Sequence, residues 1–356
     1  MLKIWRLLDY SSADPKMNSA VNEAIFRSSR EGLAQDTLRL WQSPTSVVLG
    51  TSGSYRNDVN HDACRKYGVE IVRAVSVSCE VLYQDMGSLN FTVAANATFL
   101  KHLVKNYQPV LSEYQTINEG IAKGLQRYGV DAKADPSGIY IGRERISEAL
   151  PQWFYDFLLF QGTLQVNTNL DVYNEVIRTE WSSERKDALT SLSRELGKTI
   201  EVDEVKKALI QGFEERLGVR LKEQGLTEEE QKLTEKLYRV KYSLSKWNVN
   251  SRQPFLVGMG KTTVEVFVAY PPTLMCRKLI ELVKDIVSDL QDEVKVMIWM
   301  RGRGIYQHGP YPEMSSALRD AEKRSIIPVI LVNGELKFHE FVPSREALRK
   351  AILNAL

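Results

Sequence analysis

Short strand-like runs and helical patterns alternate irregularly over residues 1–181, and this arrangement constrains the fold most strongly. Runs such as Thr37–Trp41 and residues 89–93 are apolar or alternating over a few residues, as β-strands are. Residues 12–32 and 112–128 instead carry apolar side chains at helical spacing. Because helices are inserted irregularly between strands, the sequence predicts an α+β domain with a mixed sheet, and not a regular array of parallel βαβ units.

The character of the chain changes after residue 181. Residues 182–250 are highly charged and contain two amphipathic helical patterns. Residues 251–260 contain a proline and two glycines and indicate a linker. Strand and helix patterns resume after it. The predicted units are, in order, a sheet domain (1–181), a helical accessory segment (182–250), a linker (251–260) and a C-terminal α/β domain (261–356).

The composition excludes several classes of protein. The 43% of apolar residues include no run near the roughly 18 that a membrane-spanning helix needs, so we expect no membrane partner. A net charge of +2 is too small to indicate a nucleic-acid partner. Three widely spaced cysteines and four histidines without ligand spacing indicate neither a disulfide framework nor a metal site. The charged N-terminal residues do not form a signal peptide, so we expect a cytoplasmic protein.

An ordered series of motifs runs along the first 250 residues. The motifs are Trp5-Arg-Leu-Leu-Asp-Tyr, Met17-Asn-Ser-Ala-Val-Asn-Glu-Ala, Thr37-Leu-Arg-Leu-Trp, Asp85-Met-Gly-Ser-Leu-Asn, Gln161-Gly-Thr-Leu and Trp247-Asn. In this order they resemble the lipoate–protein ligase A family of the biotin/lipoate ligase superfamily. The resemblance covers about residues 1–250, and it implies the mixed-sheet domain of that superfamily followed by a helical accessory segment.

The resemblance also implies a reaction. Members of that family use ATP and magnesium to form lipoyl-adenylate, and they then transfer the acyl group to a lysine of a carrier domain. ATP, magnesium and lipoate are therefore cofactors or substrates here only if the chain is a working ligase. The candidate ligand-binding residues that the resemblance gives are Arg73, Ser76, Ser78, Asp85, Arg145, Ser147, Gln161, Gly162 and Thr163.

The residues that the family's chemistry needs are replaced in this chain. The family's glycine loop corresponds to residues 73–81, where Val77, Ser78 and Cys79 stand for three glycines and add Cβ atoms that block a close backbone approach. The family's Asn-Asp pair corresponds to residues 137–138, Ser-Gly, which offer magnesium no anionic ligand.

Two further replacements concern the charge of the site. The family's catalytic lysine corresponds to Arg145, whose planar guanidinium does not reproduce an ammonium point charge. Glu148 replaces a glycine and adds a negative charge where an anionic adenylate would lie. We therefore predict that Val77, Cys79, Arg145 or Glu148 fills the acyl-adenylate pocket of the family.

Arg145 and Cys79 are the candidates for a catalytic residue. Relatives in the superfamily transfer octanoyl groups through a cysteine thioester, so the resemblance suggests a nucleophilic role for Cys79. Glu80 beside it disfavours the thiolate that such a role requires. We expect a packed thiol at Cys79, with a catalytic or a regulatory thiol as the alternatives.

In the C-terminal unit a strand is followed by a helix that opens at Thr273 to Cys276, and residues 327–328, Ile-Pro, precede a hairpin around Asn333-Gly334. This order of elements resembles thioredoxin. The resemblance implies a cis peptide bond before Pro328. Thr273 occupies the first cysteine position of the C-x-x-C motif, so we expect no disulfide transfer by the usual route. Cys276 is expected to be a buried inert thiol, with peroxide reactivity or a mixed disulfide as alternatives.

These observations favour a non-catalytic function. The leading hypothesis is a binding or assembly protein descended from the ligases, whose partner is a lipoyl carrier domain or a ligase subunit. The alternative is an active lipoate or octanoate ligase, or an acyltransferase, with an altered pocket. The retained Arg73, Asp85 and Gln161–Thr163 motif supports that alternative. A redox enzyme is the third possibility.

Overall fold

The chain forms two compact units, Met1–Ser251 and Arg252–Leu356. The computed structural model describes residues 2–76, 78, 80–101, 103–104, 107–108, 110–154, 156–178, 189–250, 262–269, 272–288, 290, 293–301, 320–321 and 324–356. Several predictions fall outside these residues: Val77 and Cys79, the boundary at 181–182 and the linker at 251–260.

The described strands and helices follow the mixed order that the sequence predicts. The strands are β1 (Lys3–Asp9), β2 (Thr37–Trp41), β3 (Ser46–Leu49), β4 (Glu70–Arg73), β5 (Val81–Gln84), β6 (Ser88–Asn96), β7 (Ala132–Asp135), β8 (Gly138–Ile141), β9 (Glu144–Arg145), β10 (Ser147–Phe154), β11 (Phe157–Gln165), β12 (Val219–Glu223), β13 (Thr262–Ala269), β14 (Val294–Arg301), β15 (Val329–Val332) and β16 (Glu335–His339). The helices are α1 (Pro15–Arg30), α2 (His61–Tyr67), α3 (Thr98–Lys101), α4 (Leu111–Arg127), α5 (Leu170–Val176), α6 (Leu192–Leu196), α7 (Val202–Leu217), α8 (Glu228–Leu237), α9 (Ser245–Asn250), α10 (Leu274–Ser288) and α11 (Arg345–Leu353), with a π-helical turn at Tyr238–Tyr242.

A six-stranded mixed sheet organises the first unit. Its strand order is β10-β11-β6-β2-β1-β12, and β1 runs parallel to both of its neighbours while the other pairs are antiparallel. The sheet confirms the predicted α+β class. Strand β12 lies inside the segment that we predicted to be helical, so that segment also supplies an edge strand to the main sheet.

Two small sheets complete the first unit. The sheet β4-β3-β5 packs with α2 and α5 around an apolar cluster that includes Val47 and Tyr83. The sheet β7-β8-β9 ends at Arg145, immediately before β10 begins. The two small sheets therefore deliver the loop after Arg73 and the side chain of Arg145 from different parts of the chain.

Helix α1 begins where the sequence provides a cap. The carboxylate of Asp14 accepts a hydrogen bond from the backbone N–H of Lys16 at 2.8 Å, and Pro15 occupies the first helical position. Almost all of the helix is buried, including the polar side chains of Asn18, Asn22 and Glu23. Helix α1 thus covers one face of the main sheet with polar groups that need partners there.

Helices α4 and α7 pack closely with each other. A Cβ added to Gly212 of α7 would lie 2.3 Å from the backbone nitrogen of Gly124 and 2.4 Å from the carbonyl oxygen of Gly120, both in α4. Apolar side chains of these helices join those of the sheet in the largest hydrophobic cluster. The glycines are therefore required by the distance between the two helix backbones.

Buried ion pairs attach the accessory helices to the sheet domain. Arg6 donates two hydrogen bonds of 2.6 Å to the carboxylate of Glu230, which also belongs to the capping box of α8. The carboxylate of Glu23 accepts hydrogen bonds from Lys241 at 2.7 Å and from the hydroxyl of Tyr242 at 2.6 Å. The described part of the accessory segment thus belongs to the first compact unit.

The second unit contains a sheet of order β14-β13-β15-β16 with helices α10 and α11. The Ile327–Pro328 peptide bond is cis, as predicted. Asn333 and Gly334 both have positive φ, 51° and 80°, so the predicted hairpin with its two-residue turn is confirmed. The resemblance of this unit to thioredoxin remains a prediction.

Candidate functional site

Eight side chains, six of them polar, form two adjacent rows on the face of the main sheet that α1 covers. Residues directly opposite each other in antiparallel strands lie on the same face, so the register defines each row across β2, β6, β11 and β10. The first row consists of Trp41, Asn90, Thr163 and Glu148, and the second of Arg39, Thr92, Gln161 and Leu150. All eight side chains are buried. A row of four strands spans about 14 Å, at about 4.8 Å per strand spacing.

Arg39 is fully buried at one end of the second row. It donates hydrogen bonds to the side-chain oxygens of Asn22 at 2.6 Å and Asn18 at 2.7 Å, and to the carbonyl oxygen of Tyr10 at 3.0 Å. Its guanidinium lies 4.4 Å from the ring centre of Trp41. Burial lowers the pKa of Arg39 to about 9. The hydrogen-bond acceptors of this cation are thus neutral groups.

Gln161, a residue that the resemblance singles out, continues this network. Its Oε1 accepts a hydrogen bond of 2.9 Å from Asn22 Nδ2. Among the described residues, Nε2 of Gln161, Nδ2 of Asn90 and both amide atoms of Gln165 have no hydrogen-bond partner. Buried polar groups are normally paired, so this set of amides marks the face as a candidate ligand site.

Gly162 and Thr163 lie on opposite faces of β11, and Thr163 is on the face that carries the two rows. A Cβ added to Gly162 would lie 2.1 Å from Cζ of Phe91, so the packing of that ring requires glycine. Thr163 donates to Asn90 Oδ1 at 2.8 Å and accepts a longer bond, 3.4 Å, from Gln84 Nε2. The structure therefore brings Gln161 and Thr163 into the site, with Thr163 as a positioning group, whereas Gly162 packs against Phe91 on the other face of the sheet.

Arg145 and Glu148 lie where the first row meets the edge of the sheet. Nη2 of Arg145 is 3.3 Å from Glu148 Oε1, and the hydroxyl of Tyr173 donates to the same oxygen at 3.0 Å. Both charged side chains are buried, with 10% and 3% of their surface exposed. Ser147 between them accepts a hydrogen bond from the backbone of Ile139 and so has a structural contact. The positive charge of Arg145 is therefore compensated within the protein.

Arg73 is bonded mainly to backbone oxygens. Its guanidinium donates to the carbonyl oxygens of Gly50 and Gly53, and its backbone N–H donates to Asn248 Oδ1 at 3.1 Å. Trp247 Nε1 donates to the carbonyl oxygen of Arg73 at 2.8 Å. Burial lowers the pKa of Arg73 to about 10. Arg73 thus joins the end of β4 to α9 of the accessory segment.

The loop that follows Arg73 lies against the turn after β3. The carbonyl oxygen of Ser76 accepts a hydrogen bond of 2.6 Å from the backbone of Thr51, and its hydroxyl donates to Pro151. The carbonyl oxygen of Ser78 accepts a bond of 3.2 Å from the backbone of Ser52. Ser76 and Ser78 therefore serve loop packing in this arrangement, and Cys79 lies outside the described residues.

Asp85 organises a turn at the rim of a surface cavity of about 300 Å³. Its carboxylate accepts hydrogen bonds from the backbone of Gly87 at 2.9 Å, from the hydroxyl of Ser88 at 3.0 Å and from the backbone of Asn169 at 2.9 Å. The carboxylate thus already has three donors. Among the described residues, no contact joins Asp85 to Arg73 or to Arg145.

Comparison with known proteins identifies the family. The model of the lipoyl protein ligase A/B catalytic domain matches residues 14–214. The chain belongs to this family. Lipoate-protein ligase A subunit 1 of Thermoplasma acidophilum is 27% identical over 260 residues, which are 68% of this chain and 95% of that protein. The octanoyltransferase LipM of Clostridioides difficile is 23% identical over 272 residues, covering 68% of this chain and 98% of its own.

Solved structures of the lipoate ligases share the fold. A bi-partite lipoate protein ligase from Thermoplasma acidophilum, solved in a study of an archaeal lipoylation system with its E2 lipoyl domain, is 26% identical. It matches 70% of this chain and 98% of its own with a TM-score of 0.62. The biotin/lipoate ligase fold expected from the sequence motifs is therefore confirmed, as is the family.

Two charged residues near the family's magnesium and nucleotide positions have partners within the protein. Asp135 is the acidic residue nearest in sequence to Ser137. Its Oδ1 accepts hydrogen bonds from the backbone N–H and the hydroxyl of Ser137 and from the backbone N–H of Gly138. Arg145 is paired with Glu148. Within the described part of the chain, no group of three acidic, histidine or cysteine residues is arranged to hold a metal ion.

In the second unit, two of the predicted residues, Thr273 and Cys276, contact each other. The hydroxyl of Thr273 donates to Sγ of Cys276 at 3.2 Å and accepts from the backbone N–H of Cys276 at the same distance. Cys276 is fully buried. Pro328 follows the cis bond before β15. In the described ranges of both units, no helix is both long enough and apolar enough to cross a membrane.

Sequence reasoning missed Asn22, Arg39, Asn90 and Thr92 as members of the site. Arg39 lies inside a motif that carried the family resemblance, but a motif does not tell which face of a strand a residue occupies. The signal that finds these residues is the cross-strand register, which places them in rows with Gln161 and Thr163.

Proposed function

We propose that this chain is a non-catalytic member of the lipoyl ligase family. In this proposal it binds a lipoyl or octanoyl group that is attached to a carrier domain, and it does not activate free lipoate. The observation that carries the proposal is the buried pair of Arg145 and Glu148, at the position of the lysine that contacts the adenylate in the family.

The energetics of that pair support the proposal. If Arg145 left Glu148 to contact an anionic adenylate, the buried carboxylate of Glu148 would keep the hydroxyl of Tyr173 but lose its cationic partner beside the ligand. Removing one member of a buried ion pair costs about 3–5 kcal/mol. Arg73 offers no replacement, because the carbonyl oxygens of Gly50 and Gly53 already accept from its guanidinium.

The relatives support the choice of partner. One relative is named as subunit 1 of a lipoate-protein ligase. A solved relative is described as a bi-partite ligase together with its E2 lipoyl domain. A lipoyl carrier domain, or a second ligase subunit, is therefore the protein partner that we propose. The second unit, if thioredoxin-like, would provide a further docking surface without dithiol chemistry.

Calorimetry on the intact chain tests this proposal. We expect a lipoylated carrier domain to bind, and ATP with magnesium and a non-hydrolysable lipoyl-adenylate analogue to give no saturable heat. The double substitution Arg145→Lys with Glu148→Gly restores the family's residues and should increase affinity for the analogue. Saturable binding of ATP by the wild type, or failure of the lipoylated domain to bind, would overturn the proposal.

A second candidate function is acyl transfer with an altered pocket. The unpaired amide nitrogens of Asn90 and Gln161 favour it, because a buried face with free donors suits an acyl carbonyl. Incubation with an octanoylated carrier and an unmodified lipoyl domain would show a mass increase on the acceptor if this function is correct. Loss of that transfer in Cys79→Ser would assign the nucleophile, whereas the non-catalytic proposal predicts no transfer.

A further inference from the structure

The hydrogen bonds from Arg39 to Gln161 have a fixed direction. Arginine can only donate, so Asn22 must present its Oδ1 to Arg39 Nη1, at 2.6 Å. The amide of Asn22 then faces Gln161 with Nδ2, and Gln161 accepts through Oε1 at 2.9 Å. The remaining atom of the Gln161 amide is Nε2, a donor that is buried and has no partner among the described residues.

A second side chain that can only donate, Trp41, fixes the same orientation of the Asn22 amide. Trp41 Nε1 donates to the hydroxyl oxygen of Thr92 at 3.1 Å, and the hydroxyl of Thr92 donates to Asn22 Oδ1 at 3.1 Å. Asn22 Oδ1 therefore has two donors, from Arg39 and Thr92. A flipped Asn22 would place its NH₂ group against both, so the orientation of Asn22, and with it that of Gln161, is set.

Asn90 is oriented independently. Its Oδ1 accepts from the hydroxyl of Thr163 at 2.8 Å, which leaves Nδ2 as the unpaired donor. Asn90 and Gln161 are diagonal neighbours on β6 and β11, because Gln161 is opposite Thr92. Diagonal neighbours are about 7–8 Å apart at the backbone, which is within reach of long polar side chains. Both free N–H groups therefore lie on one small area of the buried face.

We propose that Asn90 and Gln161 form a subsite for a neutral oxygen acceptor of the ligand, namely the carbonyl oxygen of an acyl amide. Arg39 and Asn22 are positioning residues that turn the Gln161 donor toward this oxygen. The inference rests on the proposed function, since it names the form of the acyl group that the site binds: the amide formed with a carrier lysine, in preference to the free carboxylate.

The charges around the face distinguish the amide from the carboxylate. A carboxylate buried away from water needs a cation whose charge is not already compensated. Asn18, Asn22 and the Tyr10 carbonyl accept from Arg39. Among the described residues Arg145 keeps one unpaired donor, Nε, but Glu148 compensates its charge. Two neutral amide donors instead match a neutral carbonyl oxygen, and Glu148 in the adjoining row repels an anion.

Titration calorimetry of the intact chain with octanamide and octanoate tests the subsite. Octanamide should bind about tenfold more tightly, a difference that one or two hydrogen bonds account for. Gln161→Glu keeps an acceptor for Asn22 but removes the free donor, and it should abolish the preference for the amide. Asn22→Asp keeps the acceptor for Arg39 but removes the amide N–H that orients Gln161. It should therefore reduce the preference for octanamide. Gln115→Glu, at an exposed position of α4, is the matched control and should bind like the wild type.

Circular dichroism confirms that each variant is folded before its affinities are compared. Equal or stronger binding of octanoate by the wild type, binding of neither compound, or an unchanged preference in Gln161→Glu would overturn the subsite. A merely structural role of Asn22 would weaken both compounds equally, and this result would overturn its positioning role. Pyrophosphate release from lipoate and ATP is a separate readout: it would refute the non-catalytic proposal without altering the measured preference for the amide.

Discussion

Replacement of Glu23 by glutamine should weaken the attachment of the accessory helices to the sheet domain. Glu23 is nearly fully buried in α1, and its carboxylate is bonded to Arg27, Lys241 and Tyr242. Burial alone would raise the pKa of Glu23, but the charges of Lys241 and Arg27 hold it well below its usual value. Burial lowers the pKa of Lys241 to about 8, so both members of the pair are charged at pH 7.

The expected loss of stability follows from the partners that Lys241 keeps after the substitution. Lys241 has a 3% exposed side chain, and after Glu23→Gln its ammonium would retain the ring of Trp247 at 3.9 Å and one amide oxygen as partners. Removal of one charge from a buried pair costs about 3–5 kcal/mol, and the retained amide acceptor recovers roughly 1 kcal/mol of this. We therefore expect the free energy of unfolding of the first unit to fall by about 3 kcal/mol.

Urea unfolding followed by tryptophan fluorescence measures this loss. The pKa of Glu23 is lowered in the folded state, so its contribution is complete above its unfolded value of 4.5 and declines as the pH falls below it. The difference between wild type and variant should shrink accordingly in acid. Glu215→Gln removes an exposed ion pair with Arg127 and should leave the unfolding midpoint unchanged. A loss below about 1 kcal/mol at pH 7 would refute the reasoning.

Two further predictions concern packing and thiol chemistry. Gly212→Ala should destabilise the first unit by about 1–3 kcal/mol, because its Cβ would press on the backbone of α4 at 2.3 Å; an unchanged midpoint in urea would show that α4 and α7 separate freely. The intact chain should not reduce insulin disulfides, because Cys276 is the only cysteine of residues 252–356 and reduction consumes two thiols. Reduction that is lost in Cys276→Ser would contradict this and indicate a thiol pair between the units.

Features that depend on nearby residues were predictable from the sequence. The helix predicted at 12–32 is α1, Pro15–Arg30, and Asn333-Gly334 marks the predicted hairpin, because helical spacing and tight turns depend on residues close together in sequence. Strand β12 was missed because Val219–Glu223 has three charged residues in five and directly follows a helix. It becomes a strand only through parallel pairing with β1, which is a contact distant in sequence.

The candidate site was predictable only in part for the same reason. The resemblance placed Arg145, Glu148 and Gln161 at the position of the family's chemistry, and the structure brings Glu148 and Gln161 into adjacent rows. It did not show that Arg73 would bond to backbone, since this depends on the turn at Gly50 and on Asn248, 175 residues away. The direction of the hydrogen bonds between the amide side chains likewise depends on the cross-strand register, and no local sequence pattern determines that register.

Pyrophosphate release from lipoate, ATP and magnesium tests the central claim most directly. A coupled assay on the intact chain at pH 7, with a no-protein control, measures whether lipoyl-adenylate forms. Glu148 compensates the charge of Arg145, and the guanidinium of Arg73 is hydrogen-bonded to backbone carbonyl oxygens. We therefore predict that pyrophosphate release is no greater than in the control. Release above the control that disappears in Arg145→Ala would contradict the claim and establish this chain as a working ligase.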